Sequence, residues 1–408
     1  MVQEQRVLII GASLGGLRTA EALRREGYAG EIIVVGEENR YPYNRPPLSK
    51  DFLFGRADEY SIGLPLRAVV ADVEWRLGVR AESADLIGKS VQMADGVTIR
   101  YSSLIIATGL RPRRLQISPG VRRGRFALRT IDDAIRLRAS VAPGVRVLVV
   151  GAGFVGCEVA ATCRALGCNV TVVGNGAVAM SKTLGDELGL ELMSRHRLHG
   201  VEFMMERQIV RIRGAQSVEC VETNRGETLY CDVVVEAIGS EFNVEWLVGN
   251  DLDIERGVLT NSAMRVVGRR GIVRDAFAVG DVARFPNARF GGRASVVEHW
   301  NIPTETGRRA AQVIAAECRG VDELARVEGA EFAPIPSFWS DQYDNHILAY
   351  GMPSLKDRVE LLHGDPRADC VYGFFSGSSL VGVCGVGDMR SVMKYRDQIG
   401  LDSTVASS

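Results

Sequence analysis

The sequence predicts an α/β chain: two doubly wound parallel-sheet domains and a C-terminal α+β domain. Three observations predict it. Val7-Leu8-Ile9-Ile10 runs straight into the glycine-rich turn Gly11-Ala12-Ser13-Leu14-Gly15-Gly16. The same design returns at Val147-Leu148-Val149-Val150, followed by Gly151-Ala152-Gly153-Phe154-Val155-Gly156. Each unit then closes on an aliphatic strand ending in glycine, Leu104 to Gly109 in the first and Val233 to Gly239 in the second. Such self-similarity points to two related domains rather than one fold with a chance motif.

The elements follow in order. Each short aliphatic run reads as a parallel strand buried on both faces. Glycine lets the chain bend tightly and opens the next helix with its N–H groups free to meet a phosphate. After the first turn, Leu17, Ala20 and Leu23 fall at helical spacing, and Gly27 ends the helix. Glu31 to Val35 is then a strand running into Gly36-Glu37. After the second turn, Val155, Val159 and Leu166 repeat the helical spacing, followed by Gly167 and a strand from Asn169 to Val173. A further strand, Ala276 to Val279, ends in Gly280-Asp281. From about residue 328 the character changes, with Pro334, Pro336 and Pro353 among Phe338, Trp339, Tyr343 and Tyr350. The expected domains are 1–113 with 240–327, 114–239, and 328–408.

Composition narrows the function. At 408 residues and 46% apolar, the chain has ample core for two or three domains. A formal net charge of -1 argues against nucleic acid as a partner. No run approaches the roughly 18–20 apolar residues of a membrane span, and Val7 to Ile10 is too short for a signal-peptide core, so a cytoplasmic protein with no membrane partner is expected. None of the eight cysteines precedes Cys157, none forms C-x-x-C and none is expected to pair with another, so neither a zinc site nor an electron-carrying dithiol is expected. The five histidines, His196, His199, His299, His346 and His363, lack metal-ligand spacing and read as surface or packing residues. No metal is expected.

A strand, glycine turn and helix start is where a dinucleotide pyrophosphate sits. Two in one chain suggest a flavin and a nicotinamide held face to face. In the first turn Ser13 replaces the usual second glycine; its Cβ takes room, but its hydroxyl can donate to a phosphate oxygen. Glu37 lies where a carboxylate accepts both hydroxyls of an adenosine ribose. The second domain has no such acid at Gly174-Asn175-Gly176 and no arginine cluster for a 2′-phosphate, so NADH is expected with NADPH possible.

The string Tyr41-Pro42-Tyr43-Asn44-Arg45-Pro46-Pro47-Leu48-Ser49-Lys50 resembles the FAD-dependent ferredoxin reductases of bacterial oxygenase systems. Ala278 to Ala283, Glu298-His299-Trp300 and Phe338-Trp339-Ser340-Asp341-Gln342-Tyr343 are similar to that family in order and spacing, over almost the whole chain. The resemblance implies a glutathione-reductase-like fold without the dithiol. It implies that Gly11, Ser13, Leu14, Gly15 and Gly16 hold the FAD pyrophosphate and Glu37 its ribose. Arg45, Lys50, Ala81, Thr108, Gly109, Arg129, Asp281 and Trp300 would border FAD. Gly151, Gly153, Phe154, Val155, Gly156, Glu158, Gly174, Ile238 and Gly239 would form the NAD(P)H site. The implied activity passes a hydride from NAD(P)H to FAD, then single electrons to an iron–sulfur ferredoxin feeding a haem monooxygenase or ring-hydroxylating dioxygenase. An NAD(P)H oxidase and a redox-sensing protein of the apoptosis-inducing-factor type are the alternatives.

Lys50 and Glu158 are the expected catalytic pair. A cation near the flavin ring favours its anionic reduced form, and a carboxylate would hold that cation and meet the nicotinamide carboxamide. The plain alternative is a surface lysine and a glutamate favoured by the helix dipole. The basic run Arg284, Arg289 and Arg293 is either a solvated face or a dock for an acidic ferredoxin.

Overall fold

The computed structural model describes residues 5–117 and 121–400. Contacts divide the chain into two units. The first comprises Met1–Asn44, Gly63–Leu110 and Phe242–Ser337; the second comprises Arg45–Ile62, Arg111–Glu241 and Phe338–Ser408.

In the first unit, Arg6–Ile10 pairs in parallel with Glu31–Gly36 on one side and Ser103–Ile106 on the other. A strand in that position touches core on both faces, which is why Val7, Leu8 and Ile9 have no exposed surface. Glu74–Leu77 extends the sheet on one side, and Gly271–Ala278 with Arg265–Gly268 on the other. The first strand lies where the strand order reverses, so its carboxyl end opens a crevice at the Gly11 turn. The helix Leu14–Arg25 buries Leu17, Ala20 and Leu23, as their spacing predicts. The long helix Ile302–Arg319 packs beside it, and Val321–Gly329 follows in the same unit.

The second unit repeats the plan. Its five parallel strands run in the order Glu202–Met205, Asn169–Gly174, Arg146–Val150, Val233–Glu236, Arg125–Phe126. The helix Phe154–Ala165 packs on this sheet. Leu53, from the Arg45–Ile62 segment, enters the same core as Val147, Val149, Val159 and Val235, which ties that early segment to this unit.

Among the described residues the C-terminal part is an antiparallel sheet with one helix, the expected α+β character. Its order is Ser337–Gln342, Asn345–Gly351, Ser379–Val386, Cys370–Ser376, Arg358–Gly364, and Met389–Arg396 is the helix. Tyr372, Phe374 and Ile347 share a core with Leu188 and Leu192 of the helix Asp186–Leu198. No helix among the described residues is long and apolar enough to cross a membrane.

Candidate active site

The two glycine turns have the same geometry. A Cβ on Gly11 would lie 2.1 Å from the Ala107 carbonyl oxygen, and one on Gly151 would lie 2.1 Å from that of Ala237. Both residues have left-handed φ, +123° and +112°. These glycines let the turn close against the end of a neighbouring strand. Gly16 and Gly156 serve the same packing: a Cβ there would lie 2.0 Å from the carbonyl oxygens of Gly11 and Gly151. Gly153 differs, because a Cβ there would meet nothing within 4 Å. It faces open space at the start of its helix, and Ser13 occupies the matching place in the first unit.

The helices that begin at these turns are left uncapped. Neither Leu14–Arg25 nor Phe154–Ala165 has a side-chain cap, and neither has an acidic residue in its first turn. By contrast, Ile131–Arg138 is closed by a capping box between Thr130 and Asp133. Uncapped N–H groups at the positive end of a helix dipole are suited to an anion such as pyrophosphate. The residues present therefore fit a dinucleotide in each unit.

Around the first turn, exposed Glu37 stands just past the strand Glu31–Gly36. Ala81 begins the strand Ala81–Asp85. The Thr108 hydroxyl donates to the Asn243 carbonyl at 2.7 Å, and Asn243 Nδ2 donates to the Thr108 carbonyl at 2.9 Å. Gly109, at φ +60°, turns the chain there. Asp281 lies in the short turn after Gly271–Ala278, where the Gly280 N–H donates to Thr306. Trp300 Nε1 donates to Asn44 Oδ1 at 3.0 Å, and the ring is 38% exposed.

Around the second turn, Phe154 packs on Phe338 with ring centroids 5.0 Å apart, while Val155 is exposed. Ile238 rests on the core, and Gly239 has left-handed φ with open space at its Cβ position. Arg45, in the second unit, donates to the Arg129 carbonyl at 2.6 Å. Gly174 is a buried strand end: a Cβ there would lie 2.7 Å from Met205 Cε and 3.0 Å from Ala152 Cβ.

Lys50 and Glu158 meet within the second unit. Lys50 Nζ lies 2.9 Å from Glu158 Oε1 and also donates to the Pro46 carbonyl at 3.2 Å. Ser49 Oγ donates to Glu158 Oε2, and Ser340 Oγ donates to Oε1 at 2.6 Å. Thr162, one helical turn beyond Glu158, donates to the Ser49 carbonyl at 2.7 Å and fixes the loop. The plain reading of a surface lysine and a dipole-stabilised glutamate does not describe this pair, since Glu158 is 5% exposed.

A family model described as pyridine nucleotide-disulphide oxidoreductase matches residues 5–309, and one described as reductase C-terminal matches 337–408. The chain belongs to the pyridine nucleotide-disulphide oxidoreductase family. It is similar to the ferredoxin–NAD(+) reductase component of the anthranilate 1,2-dioxygenase system of Burkholderia cepacia, 34% identical across 94% of this chain and 91% of that one. It is also similar to rhodocoxin reductase of Rhodococcus erythropolis, 30% identical across 96% and 88%. Among solved structures it superposes on putidaredoxin reductase in its covalent complex with putidaredoxin, at a TM-score of 0.87 and 27% identity, covering 97% of this chain and 93% of that one.

Two expectations for this family member need correction. Arg284 is not part of an open basic face, since it is ion-paired with Asp253; Arg289 Nε donates to the Ala333 carbonyl at 3.3 Å, and Arg293 is exposed. Nor are the thiols all isolated. Cys163 and Cys168 stand five positions apart, and hydrogen bonding to Cys168 together with burial pushes the Cys163 thiol well above its ordinary range. Both lie at the end of Phe154–Ala165 remote from the glycine turn, and both are free.

Four residues around Glu158 escaped the sequence reading: Ser49, Ser340, Gln342 and His196. The string Phe338 to Tyr343 stood out as a unit, with no role attached to its inward members. Strand alternation was the available signal, because Ser340 and Gln342 are buried while Trp339 and Asp341 are partly exposed.

Proposed function

We propose that this chain is an NADH:ferredoxin reductase that holds FAD in its first unit and NADH in its second, and serves an oxygenase system. The observation that carries the reading is the repeated, uncapped glycine-turn helix, with buried Glu158 on the second of them ion-paired to Lys50. Relatives named as ferredoxin–NAD(+) reductase components support it.

Flavin, when bound, supplies the step between a two-electron hydride donor and a one-electron acceptor. The chain's own residues bind and orient. Gly11, Ser13, Leu14, Gly15 and Gly16 hold one pyrophosphate, and Glu37 accepts its ribose hydroxyls. Ala81, Thr108, Gly109, Asp281 and Trp300 would line the rest of that cofactor. Gly151 to Gly156, Ile238 and Gly239 hold the nicotinamide dinucleotide. Glu158 would hold the Lys50 ammonium and accept from the carboxamide of a bound nicotinamide, and Lys50 would supply positive charge where the hydride is passed. Two molecules of an iron–sulfur ferredoxin then take the two electrons, one each, for a haem monooxygenase or a ring-hydroxylating dioxygenase.

Two measurements test this. Acid treatment of the purified protein should release FAD. NADH-driven cytochrome c reduction should depend on added ferredoxin, with NADPH slower. Release of FMN or of no flavin, or NADH turnover that passes only to oxygen whatever ferredoxin is supplied, would overturn the proposal.

A further inference from the structure

Behind Glu158 the second unit contains a buried chain of hydrogen bonds that runs in one direction. His196 Nε2 lies 2.7 Å from Gln342 Oε1. Gln342 Nε2 lies 3.0 Å from Ser340 Oγ. Ser340 Oγ lies 2.6 Å from Glu158 Oε1, which also accepts from Lys50. His196, Gln342 and Ser340 have no exposed surface.

The chemistry of each group fixes the direction. Gln342 Nε2 also faces the Met180 thioether at 3.6 Å, and sulfur there can only accept. The amide oxygen therefore turns to His196. Burial lowers the imidazole's affinity for a proton, so His196 is neutral at pH 7. Its one proton lies on Nε2, facing Gln342, while Nδ1 has no partner among the described residues. Gln342 then donates to Ser340 Oγ, and the single Ser340 proton is left for Glu158. If the amide flipped, Gln342 would compete with Glu158 for that proton.

Packing alone does not call for such a chain. Buried hydroxyl and amide groups cost stability unless bonded, and apolar residues would close this core more simply. The turn that follows is also held. Tyr343 has left-handed φ of +58°, uncommon for a bulky residue, its ring stacks on His199 at 3.7 Å, and Asn345 Nδ2 donates to the Gln342 carbonyl at 2.9 Å.

We propose that Ser340 and Gln342, with His196 behind them, are positioning residues that hold Glu158 in the one rotamer that serves Lys50. The C-terminal sheet thus takes part in the hydride-transfer site as its support. The inference rests on the reading of Lys50 and Glu158 as cofactor-facing residues.

The test uses the flavin-loaded full chain. Ser340→Ala should slow flavin reduction at saturating NADH by about tenfold or more, since a small misplacement at a reacting centre is costly in rate. NAD⁺ affinity by calorimetry should change little, and Ser340→Thr should recover most of the rate. Gln342→Met, similar in length and without a donor for Ser340, should behave like Ser340→Ala. It also serves if Ser340→Ala fails to fold. Ser340→Ala combined with Glu158→Gln should be no slower than Glu158→Gln alone. Crystals of Ser340→Ala should show Glu158 turned away from Lys50 or in two conformers. Normal reduction rates in Ser340→Ala and Gln342→Met, with Glu158→Gln slow and Glu158 unmoved in the crystal, would overturn this inference alone. A normal rate in Glu158→Gln would instead sink the role given to Glu158, and the rotamer in the Ser340→Ala crystal would still decide the positioning claim.

Discussion

In the first unit, the pairing of Ile10 with Val35 puts Gly36 at the strand end and Glu37 just beyond it. In the second, Val150 pairs with Val173, which puts Gly174 and Asn175 in the corresponding places. The counterpart of the ribose-reading Glu37 is therefore exposed Asn175 rather than buried Gly174. Nearby Arg207 donates its N–H to the Gly174 carbonyl, but its guanidinium is bound to Glu227 at 2.9 Å. Asn175→Glu should shift selectivity toward NADH over NADPH by roughly tenfold, about 1.4 kcal/mol, read as a ratio of kcat/KM values. Gly174→Glu should fail to do so. Its Cβ must displace Met205 and crowd Ala152, at a cost of roughly 1–3 kcal/mol that denaturant unfolding would register. A gain in NADH preference from Gly174→Glu with unchanged stability would contradict this assignment.

At the scale of elements, the turn before Phe154–Ala165 separates glycines that pack from a glycine that faces open space. Gly151→Ala places a Cβ against the Ala237 carbonyl at a left-handed φ, so it should lose soluble, folded protein. Gly153→Ala meets nothing, so its melting temperature should stay close to that of the natural chain. Its NAD⁺ dissociation constant should rise several-fold, because the methyl occupies room beside the helix N-terminus. Gly153→Ser, which adds the hydroxyl that Ser13 carries, should recover part of the loss. Unchanged affinity in Gly153→Ala would place the dinucleotide elsewhere. These elements were legible because strand, turn and helix are local: Val7 to Ile10 and Val147 to Val150 announce themselves by unbroken apolar runs. The surroundings of Glu158 were not. Its partners come from positions 49, 50 and 340, and no periodicity links them. Ser340 and Gln342 point inward on a strand whose polar residues would ordinarily be read as outward. The sequence sets Lys50 and Glu158 in different nucleotide-binding domains; packing through Leu53 and the Thr162 hydrogen bond to the Ser49 carbonyl put both in the second unit.

At the scale of the whole molecule, charge and titration give two further expectations. Under the proposed function, Arg293→Glu should raise the KM for an acidic ferredoxin, whereas Arg284→Glu should mainly destabilise, because it sets two acids together where Asp253 now has a cation. An equal effect of both on the ferredoxin KM, with equal stability, would restore the basic run as one docking face. The acid limb of stability follows from histidines that fold as neutral groups, one in each unit. Burial lowers the pKa of His196, and burial also lowers that of half-buried His299, to about 4. In the unfolded chain both regain a pKa near 6.5, so below that pH the unfolded state binds more protons. The contribution of His299 is fully present above about pH 6.5 and is lost as pH falls toward 4, by at most about 1.4 kcal/mol per pH unit, and that of His196 begins to be lost in the same direction below about pH 6.5. Ion-paired Asp232 and Asp253 have lowered pKa values, so their contributions are lost only below the ordinary carboxylate range, and the two windows separate. Melting temperature should therefore begin to fall near pH 6.5, not near pH 4. His299→Gln removes one of the titrating groups and should flatten the slope between pH 6.5 and 4.5 while leaving the steeper loss at lower pH in place. An unchanged slope in that variant would mean that His299 is as readily protonated in the folded chain as in the unfolded one, and that His196 alone carries the histidine part of the acid limb.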